Sequence, residues 1–184
     1  MPMRIKRELK LSKKLQRRLE RLGRRFQAKI ISAGISRGLV KLQFFLANLE
    51  IDLRELNKKA QTYFARMKTA HTDLKLRYSA LQNFLSSVGK PNEIIRLEGE
   101  NFKKWVSLQK KFHSAEAKYY QYMLKFAEEL SKHISKRMEE SLFNNTERFL
   151  RECEALRALS AVIDDAQAAI NHAKKSYFSI KKFL

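Results

Sequence analysis

Apolar residues recur at alternating spacings of three and four along most of the chain, the pattern of long amphipathic helices that pack as coiled coils. The first continuous run covers residues 39–88, and Arg77 is the only polar residue among its fifteen seam positions. Seven heptads predict a single helix of about 50 residues, roughly 75 Å long. The following Gly89, Pro91 and Asn92 predict where this helix ends.

Two further helices are predicted after this break. The first covers residues 93–141, and its buried side is expected to contain Phe102, Trp105, Phe112, Tyr119, Met123, Phe126, Leu130 and Ile134. A turn is predicted at Asn144-Asn145, and the last helix then continues to the final residue. Its predicted seam consists of Phe149, Cys153, Leu156, Ser160, Ile163, Ala166, Ile170, Ala173, Tyr177, Ile180 and Leu184. Because short turns join these long helices, neighbouring helices are expected to be antiparallel.

The first 33 residues have a different pattern and predict a basic amphipathic helix. A narrow apolar stripe contains Leu15, Leu19, Leu22 and Phe26. It is flanked by basic side chains, which are Lys13, Lys14, Arg17, Arg18, Arg21, Arg24 and Arg25. Gly34 and Gly38 predict a hinge over residues 34–38. The predicted organisation is therefore all-α: a basic helix over 1–33, the hinge, and an elongated antiparallel three-helix coiled coil over 39–184.

The net charge of the chain indicates the kind of partner that it binds. The 184 residues contain 39 Lys and Arg against 19 Asp and Glu, a net charge of +20. Such an excess favours a polyanionic partner, either phospholipid or nucleic acid. No apolar run approaches the ~20 residues of a membrane span, and no apolar signal core follows the basic start. We expect a cytoplasmic protein, peripheral on membranes, with a mitochondrial transit peptide as the alternative reading of its start.

Signatures of enzymatic chemistry are missing from the sequence. It has no Gly-rich phosphate loop, no nucleophile elbow and no paired-cysteine or HExxH metal motif. The pairs His113–Glu116 and Glu129–His133 each share a helix face, but a di-iron bundle needs further inward carboxylates. The single cysteine, Cys153, is expected to be a small buried hydrophobe in a reducing compartment. We predict a protein that is not an enzyme and has no cofactor or metal.

A row of lysines in the second long helix is the main candidate site. Lys104, Lys111, Lys118, Lys125 and Lys132 recur every seven residues, and we call this row the lysine ridge. With Phe102 and Trp105 at the a and d positions, the ridge occupies c positions, which point away from the core. The ridge is therefore predicted to be an exposed line of positive charge about 42 Å long.

The order of a cationic amphipathic helix, a hinge and three long helices resembles the N-BAR type of BAR domain, of the amphiphysin and endophilin kind. Three stretches carry the resemblance: Arg54-Glu55-Leu56 through Tyr63, Lys68 and His71; Trp105 followed 29 positions later by Ile134-Ser135-Lys136-Arg137; and Lys14-Leu15 through Leu22-Gly23. Where the family continues its basic cluster, this chain has Met138-Glu139-Glu140-Ser141, which implies a shortened arm.

The resemblance implies an antiparallel homodimer, able to extend into a higher lattice, that binds anionic phospholipid and senses or generates membrane curvature. It also implies that Lys136 and Arg137 extend the lipid-binding ridge. Surplus apolar residues off the seams are expected at the dimer interface, namely Phe44, Phe45, Phe64, Tyr120 and Phe178.

Two alternatives stay open. A structural coiled-coil subunit of a larger assembly would dock the N-terminal helix in a groove of a partner protein. A helical nucleic-acid-binding protein would use the Arg-rich segment to contact phosphates. The apolar stripe favours membrane insertion, because contact with phosphates alone requires no Leu and Phe seam.

A peptide of residues 4–31 tests the membrane-inserting helix. Its closely spaced positive charges should repel one another, so the peptide should fray in water and become helical on anionic vesicles. Circular dichroism with and without vesicles measures the change. Equal helicity in both conditions would instead indicate a structural helix.

Overall fold

The computed structural model describes residues 37–89 and 97–181, together with Lys13, Lys14 and Arg17. Within residues 37–89 and 97–181 the chain forms four α-helices and one 3-10 turn, and no strand. The helices are α1 (Arg37–Asn48), α2 (Lys58–Val88), α3 (Gly99–Ser141) and α4 (Thr146–Lys181), and the 3-10 turn is Leu53–Glu55. The predicted all-α class is confirmed, and the helices pack as a bundle around α3.

The longest helix, α3, is the centre of the bundle. Its entire predicted seam, from Phe102 to Ile134, is buried. Within the described residues α2 and α4 both pack along α3 rather than on each other. The helix pair α2 and α3 is antiparallel, because Phe64 contacts Phe126 near one end, with ring centroids 5.0 Å apart, and Phe84 contacts Trp105 near the other, at 6.5 Å.

The prediction of one continuous helix over residues 39–88 is wrong. After α1 the chain turns at Glu50, whose φ of 52° lies in the left-handed region. The side chain of Asp52 accepts a hydrogen bond from the Arg54 amide at 2.9 Å, and that of Asn57 accepts one from the Ala60 amide at 2.8 Å. These two caps satisfy backbone donors that a continuous helix would have paired internally.

The direction of the chain reverses across this break. At the start of α1, a methyl group added to Gly38 would overlap the Met123 side chain. At its end, the Leu49 carbonyl accepts a hydrogen bond from Arg137 at 3.1 Å. Helix α1 therefore runs parallel to α3, whereas α2 runs antiparallel to it. Gly38, part of the predicted hinge, lies within α1, where the absence of a side chain permits close packing; residues 34–36 lie outside the described residues.

The predicted end of the first long helix and the predicted turn before α4 agree with the structure. Helix α2 ends at Val88, where the Gly89 amide donates to the Leu85 carbonyl at 3.1 Å. The predicted turn at Asn144-Asn145 is confirmed, and Asn145 accepts a hydrogen bond from the Arg148 amide at 3.0 Å. Helix α3 begins at Gly99, with a φ of +55°. The predicted helix, which included Leu97 and Glu98, is wrong at these two residues because neither is helical; residues 90–96 lie outside the described residues.

In the first half of α4 the predicted seam is wrong by one residue. The predicted seam residues there, including Cys153, Leu156 and Ile163, are only partly buried, and Ser160 is exposed. The residues that face the core instead are Glu152, Ala155, Leu159 and Val162. The predicted and observed seams coincide at Ala166, Ile170 and Ala173, whereas Tyr177 and Ile180 are partly buried and Leu184 lies outside the described residues.

Phe64 was predicted at a dimer interface but lies in the core of this chain, against Phe126. Phe45 and Tyr120 are partly buried against the same core. Phe44 and Phe178 are each 60% exposed. Only these last two of the five surplus residues present a large apolar surface to solvent.

A buried carboxylate holds α4 in this register. Glu152 is 1% exposed, and its side chain accepts hydrogen bonds from Ser141 Oγ at 2.9 Å and from Arg148 Nε at 3.0 Å. Arg137 Nε forms an ion pair with the same carboxylate at 3.4 Å. Because Arg137 also donates to the Leu49 carbonyl, the network joins α3 and α4 to the end of α1.

Replacing Glu152 with Ala should destabilise the protein by about 3–5 kcal/mol, because Arg137 would keep its charge in the interior without a carboxylate. Urea unfolding followed by circular dichroism measures this loss. Glu154→Ala is the matched control, since Glu154 is exposed on the same helix and its removal should change stability by about 0.5 kcal/mol or less. Equal unfolding midpoints for the two variants would contradict the structural role of Glu152.

Candidate anion-binding surface

The lysine ridge lies on the solvent side of α3, and all five of its lysines are exposed. Seven residues of α-helix advance about 10.5 Å, so the five ammonium groups are attached at regular intervals along one line. The opposite side of α3 carries Tyr119 and Met123, whose side chains lie next to Gly38 at the start of α1. Helix α1 therefore packs on a different side of α3 from the ridge, in agreement with the predicted exposure of the ridge lysines.

Few carboxylates neutralise the ridge. The adjacent row on α3 carries one acidic residue in five positions, which are Ser107, Ser114, Gln121, Glu128 and Ser135. Lys132 forms an ion pair with Glu129 at 3.2 Å. The other four ridge lysines form no ion pair with any carboxylate that the structure describes, so their charges are available to an external anion.

Helix α2 adds positive charge beside the ridge. It contains six basic residues and one carboxylate, Asp73. The guanidinium carbon of Arg66 lies 5.9 Å from the ring centroid of Tyr122 on α3, and Arg77 pairs with Asp73 at 3.4 Å. We call the lysine ridge together with Arg66, Arg77 and Lys110 the basic face.

Arg66 and Arg77 were not among the predicted site residues. The available signal was that Arg77 is the one polar residue in an otherwise apolar seam. In the structure Arg77 is exposed. A charged residue at a seam position of one helix therefore indicates that this position is exposed to solvent.

Aromatic rings lie under two of the ridge lysines. Lys104 Nζ is 5.4 Å from the centroid of Phe84, and Lys125 Nζ is 5.5 Å from the centroid of Tyr63. Such cation–π contacts favour particular side-chain orientations without neutralising the charge. They reduce the conformational entropy that these two lysines would lose on binding an anion.

The end of the ridge nearest the α1–α2 break has mixed charge. A cavity of about 440 Å³ there is lined by Lys132, His133 and Lys136 but also by Glu55, Leu56, Asn57, Ala60, Glu129, Arg137 and Glu140. Hydrogen bonds from Asn57 and Lys132 lower the pKa of Glu129. Burial lowers the pKa of His133, and the positive charge of Arg137 lowers it further. A negatively charged Glu129 next to a neutral His133 makes this end a weaker anion site than the middle of the ridge.

Lys136 and Arg137, both predicted to extend the ridge, have different environments. Lys136 is exposed. The Arg137 side chain is 17% exposed, and its guanidinium is engaged by Glu152 and by the Leu49 carbonyl. Arg137 therefore stabilises the bundle, and we do not include it in the basic face.

The residues of the predicted membrane-inserting helix are mostly outside the described part of the chain. Lys13, Lys14 and Arg17 are helical and exposed. The remaining predicted residues of this helix lie outside the described residues; they are Leu15, Arg18, Leu19, Arg21, Leu22, Arg24, Arg25 and Phe26.

Two other kinds of site are absent from the described residues. No group of three His, Cys, Asp or Glu side chains there is arranged to hold a metal ion. None of the described helices has the length and apolar character required to cross a bilayer. Cys153 is a free thiol, with its Sγ atom 3.4 Å from Met138 Sδ.

Comparison of the chain with protein-family models, curated proteins and solved structures gave no match. The resemblance to N-BAR domains stays a prediction from the sequence. The geometry and charge of the basic face are therefore the basis for a functional proposal.

Alanine substitutions at Lys136 and Arg137 test whether Arg137 stabilises the bundle and Lys136 does not. Arg137→Ala should destabilise the protein by about 2–3 kcal/mol, because it removes one of the two arginines that pair with the buried Glu152 carboxylate. Lys136→Ala should change stability by about 0.5 kcal/mol or less. Urea unfolding tests both, and the double variant lacking Arg137 and Glu152 should lose less stability than the sum of the single losses. Additive losses would show that the two side chains do not interact.

Proposed function

We propose that this protein is a peripheral membrane protein that binds anionic phospholipid bilayers through its basic face. The observation that carries the proposal is the lysine ridge: five exposed ammonium groups in one line, of which only Lys132 is paired with a described carboxylate. A long line of charge suits a laterally extended anionic surface. A small ligand would leave most of the line unused, because it reaches only one or two of the lysines at once.

The expected strength of this attraction is sufficient for reversible binding. A basic residue near an anionic leaflet contributes about 1 kcal/mol, so five ridge lysines contribute up to about 5 kcal/mol per chain. Screening by salt makes this an upper limit, and binding should weaken as ionic strength rises. Arg66 and Arg77 add to the same surface from α2.

The sequence of the N-terminal segment favours a bilayer rather than a nucleic acid as the binding partner. Its apolar stripe of Leu15, Leu19, Leu22 and Phe26 matches the requirement of a helix that lies in the membrane interface. Insertion of these side chains would add hydrophobic free energy to the charge attraction. A nucleic acid would supply the phosphates but no apolar layer.

Curvature sensing is the finer part of the proposal. Helix α3 has 43 residues and is about 65 Å long, and α4 packs along it. A rigid helical pair of this length holds its charges in a fixed line, so it binds best to a surface that follows that line. The exposed Phe44 and Phe178 offer apolar surface for a homodimer, as the resemblance to N-BAR domains implies.

Reversing the charge of the lysine ridge tests the proposal. A variant with Glu at positions 104, 111, 118, 125 and 132 should lose binding to anionic vesicles. It should keep its helicity, because c-position side chains contribute little to packing. Co-sedimentation with phosphatidylcholine vesicles, with and without phosphatidylserine, at 50–200 mM salt measures the binding.

The matched control reverses five exposed lysines elsewhere, at positions 41, 58, 174, 175 and 181, and changes the net charge equally. The control should retain much more vesicle binding than the ridge variant. Equal losses would show that only total charge matters and would overturn the proposed role of the ridge. A gel-shift assay with duplex DNA at the same salt concentrations tests the nucleic-acid alternative, and vesicles of two diameters test the preference for curvature.

A further inference from the structure

A groove opens at the middle of the basic face, where α2, α3 and α4 come together. Its volume is about 400 Å³. Small residues of α3 line it, among them Ser107, Ser114 and Ala115, while Arg77 of α2 and Tyr177 of α4 line its sides. This volume is within the range of small-ligand sites, roughly 300–1,000 Å³.

The groove is strongly positive. Three α3 lysines line it in addition to Arg77: Lys110, Lys111 and Lys118. Among its described lining residues Asp73 is the one carboxylate, and it is paired with Arg77 at 3.4 Å. Four basic groups therefore face one carboxylate in a space the size of a small ligand.

Two of these basic groups are already oriented. Lys110 Nζ lies 5.7 Å from the ring centroid of Tyr177 on α4, and Asp73 holds the Arg77 guanidinium. A guanidinium has five N–H donors, so Arg77 can keep its contact with Asp73 and still donate to a second anion. Orientation before binding lowers the entropy that an anion must overcome to bind here.

The serine hydroxyls distinguish the groove from the rest of the ridge. Ser107 and Ser114 lie seven residues apart, about 10.5 Å along α3. Ser107 is half-buried and Ser114 is exposed, and their short side chains stay closer to the α3 backbone than the long lysine side chains do. A smooth anionic surface would meet the lysine ends first, while a compact phosphate-bearing group can enter and accept hydrogen bonds from the hydroxyls.

We infer that this groove binds a compact polyphosphate group, carried on a lipid headgroup or free in solution. Arg77, Lys111 and Lys118 neutralise its charge, and Ser107 and Ser114 donate hydrogen bonds to its oxygens. Phosphate oxygens are strong acceptors that bind guanidinium and ammonium groups through short, charge-assisted hydrogen bonds. The inference deepens the proposed function and rests on it for the lipid-borne source, because the groove lies within the proposed membrane-binding surface.

Two probes separate the two sources of polyphosphate. Inorganic tripolyphosphate, titrated calorimetrically into the 184-residue protein, tests the free form. Vesicles containing phosphatidylinositol 4,5-bisphosphate, compared with phosphatidylserine vesicles of equal surface charge, test the lipid-borne form. A preference for the bisphosphate vesicles would assign the groove to a lipid headgroup, whereas tripolyphosphate binding without this preference would assign it to a soluble ligand.

Two pairs of ridge lysines form a matched set of variants. Lys111→Gln with Lys118→Gln changes the groove, whereas Lys104→Gln with Lys125→Gln removes the same charge outside it. The groove variant should bind tripolyphosphate about tenfold or more weakly, and the outer variant less than about threefold. Ser107→Ala with Ser114→Ala leaves the charge unchanged and should weaken binding about threefold or more.

Each outcome decides between specific binding and general charge attraction. Equal loss of tripolyphosphate affinity in both lysine variants, or no binding of either probe by the unaltered protein, would overturn the inference. Failure of the proposed function has a separate signature, which is tripolyphosphate binding without any adsorption to phosphatidylserine vesicles. Both lysine variants should reduce that adsorption to a similar extent, since each removes two charges from the ridge.

Discussion

The ion pair between Glu152 and Arg137 fixes the relative positions of three helices. A carboxylate that is 1% exposed requires compensation, and here it comes from two arginines and a serine hydroxyl. Arg137 extends this constraint to the Leu49 carbonyl, at the point where the chain reverses direction. The register of α4 and the position of α1 are therefore set by the same group of polar contacts, and the basic face is presented by the bundle that they hold together.

The parts of the structure that the sequence predicted are those determined by α3. Helices pack on α3 along its seam, so residues such as Phe112 and Leu130 are buried. The heptad pattern therefore predicted the buried side of this helix correctly. The same packing leaves the c positions exposed, which is why the exposure of the lysine ridge was predictable. The turn at Asn144-Asn145 was predictable because two residues with high turn propensity interrupt the apolar pattern.

The parts that the sequence did not predict depend on contacts between distant residues. Leu49, Leu53 and Leu56 keep the seam spacing through the break between α1 and α2, because they pack against the same core after the chain turns. In the sequence the break is marked only by the capping residues Asp52 and Asn57. Because such polar residues also occur on helix surfaces, they did not reveal it. The predicted seam of the last helix did not include Glu152, because two of its three partners, Arg137 and Ser141, lie on another helix. Arg66 joins the candidate site only through the antiparallel pairing of α2 with α3.

The hydrogen bond between Arg137 and the Leu49 carbonyl also has a consequence for the order of folding. It joins residues 88 positions apart, whereas the contacts of Glu152 with Ser141 and Arg148 span 11 and 4 positions. Short loops close at a lower entropic cost than long ones, so the α3–α4 hairpin is expected to assemble first. Helix α1 can then dock only onto a hairpin in which Arg137 is already oriented by Glu152. The buried carboxylate thus acts early in folding, as the template on which the N-terminal part of the bundle is completed.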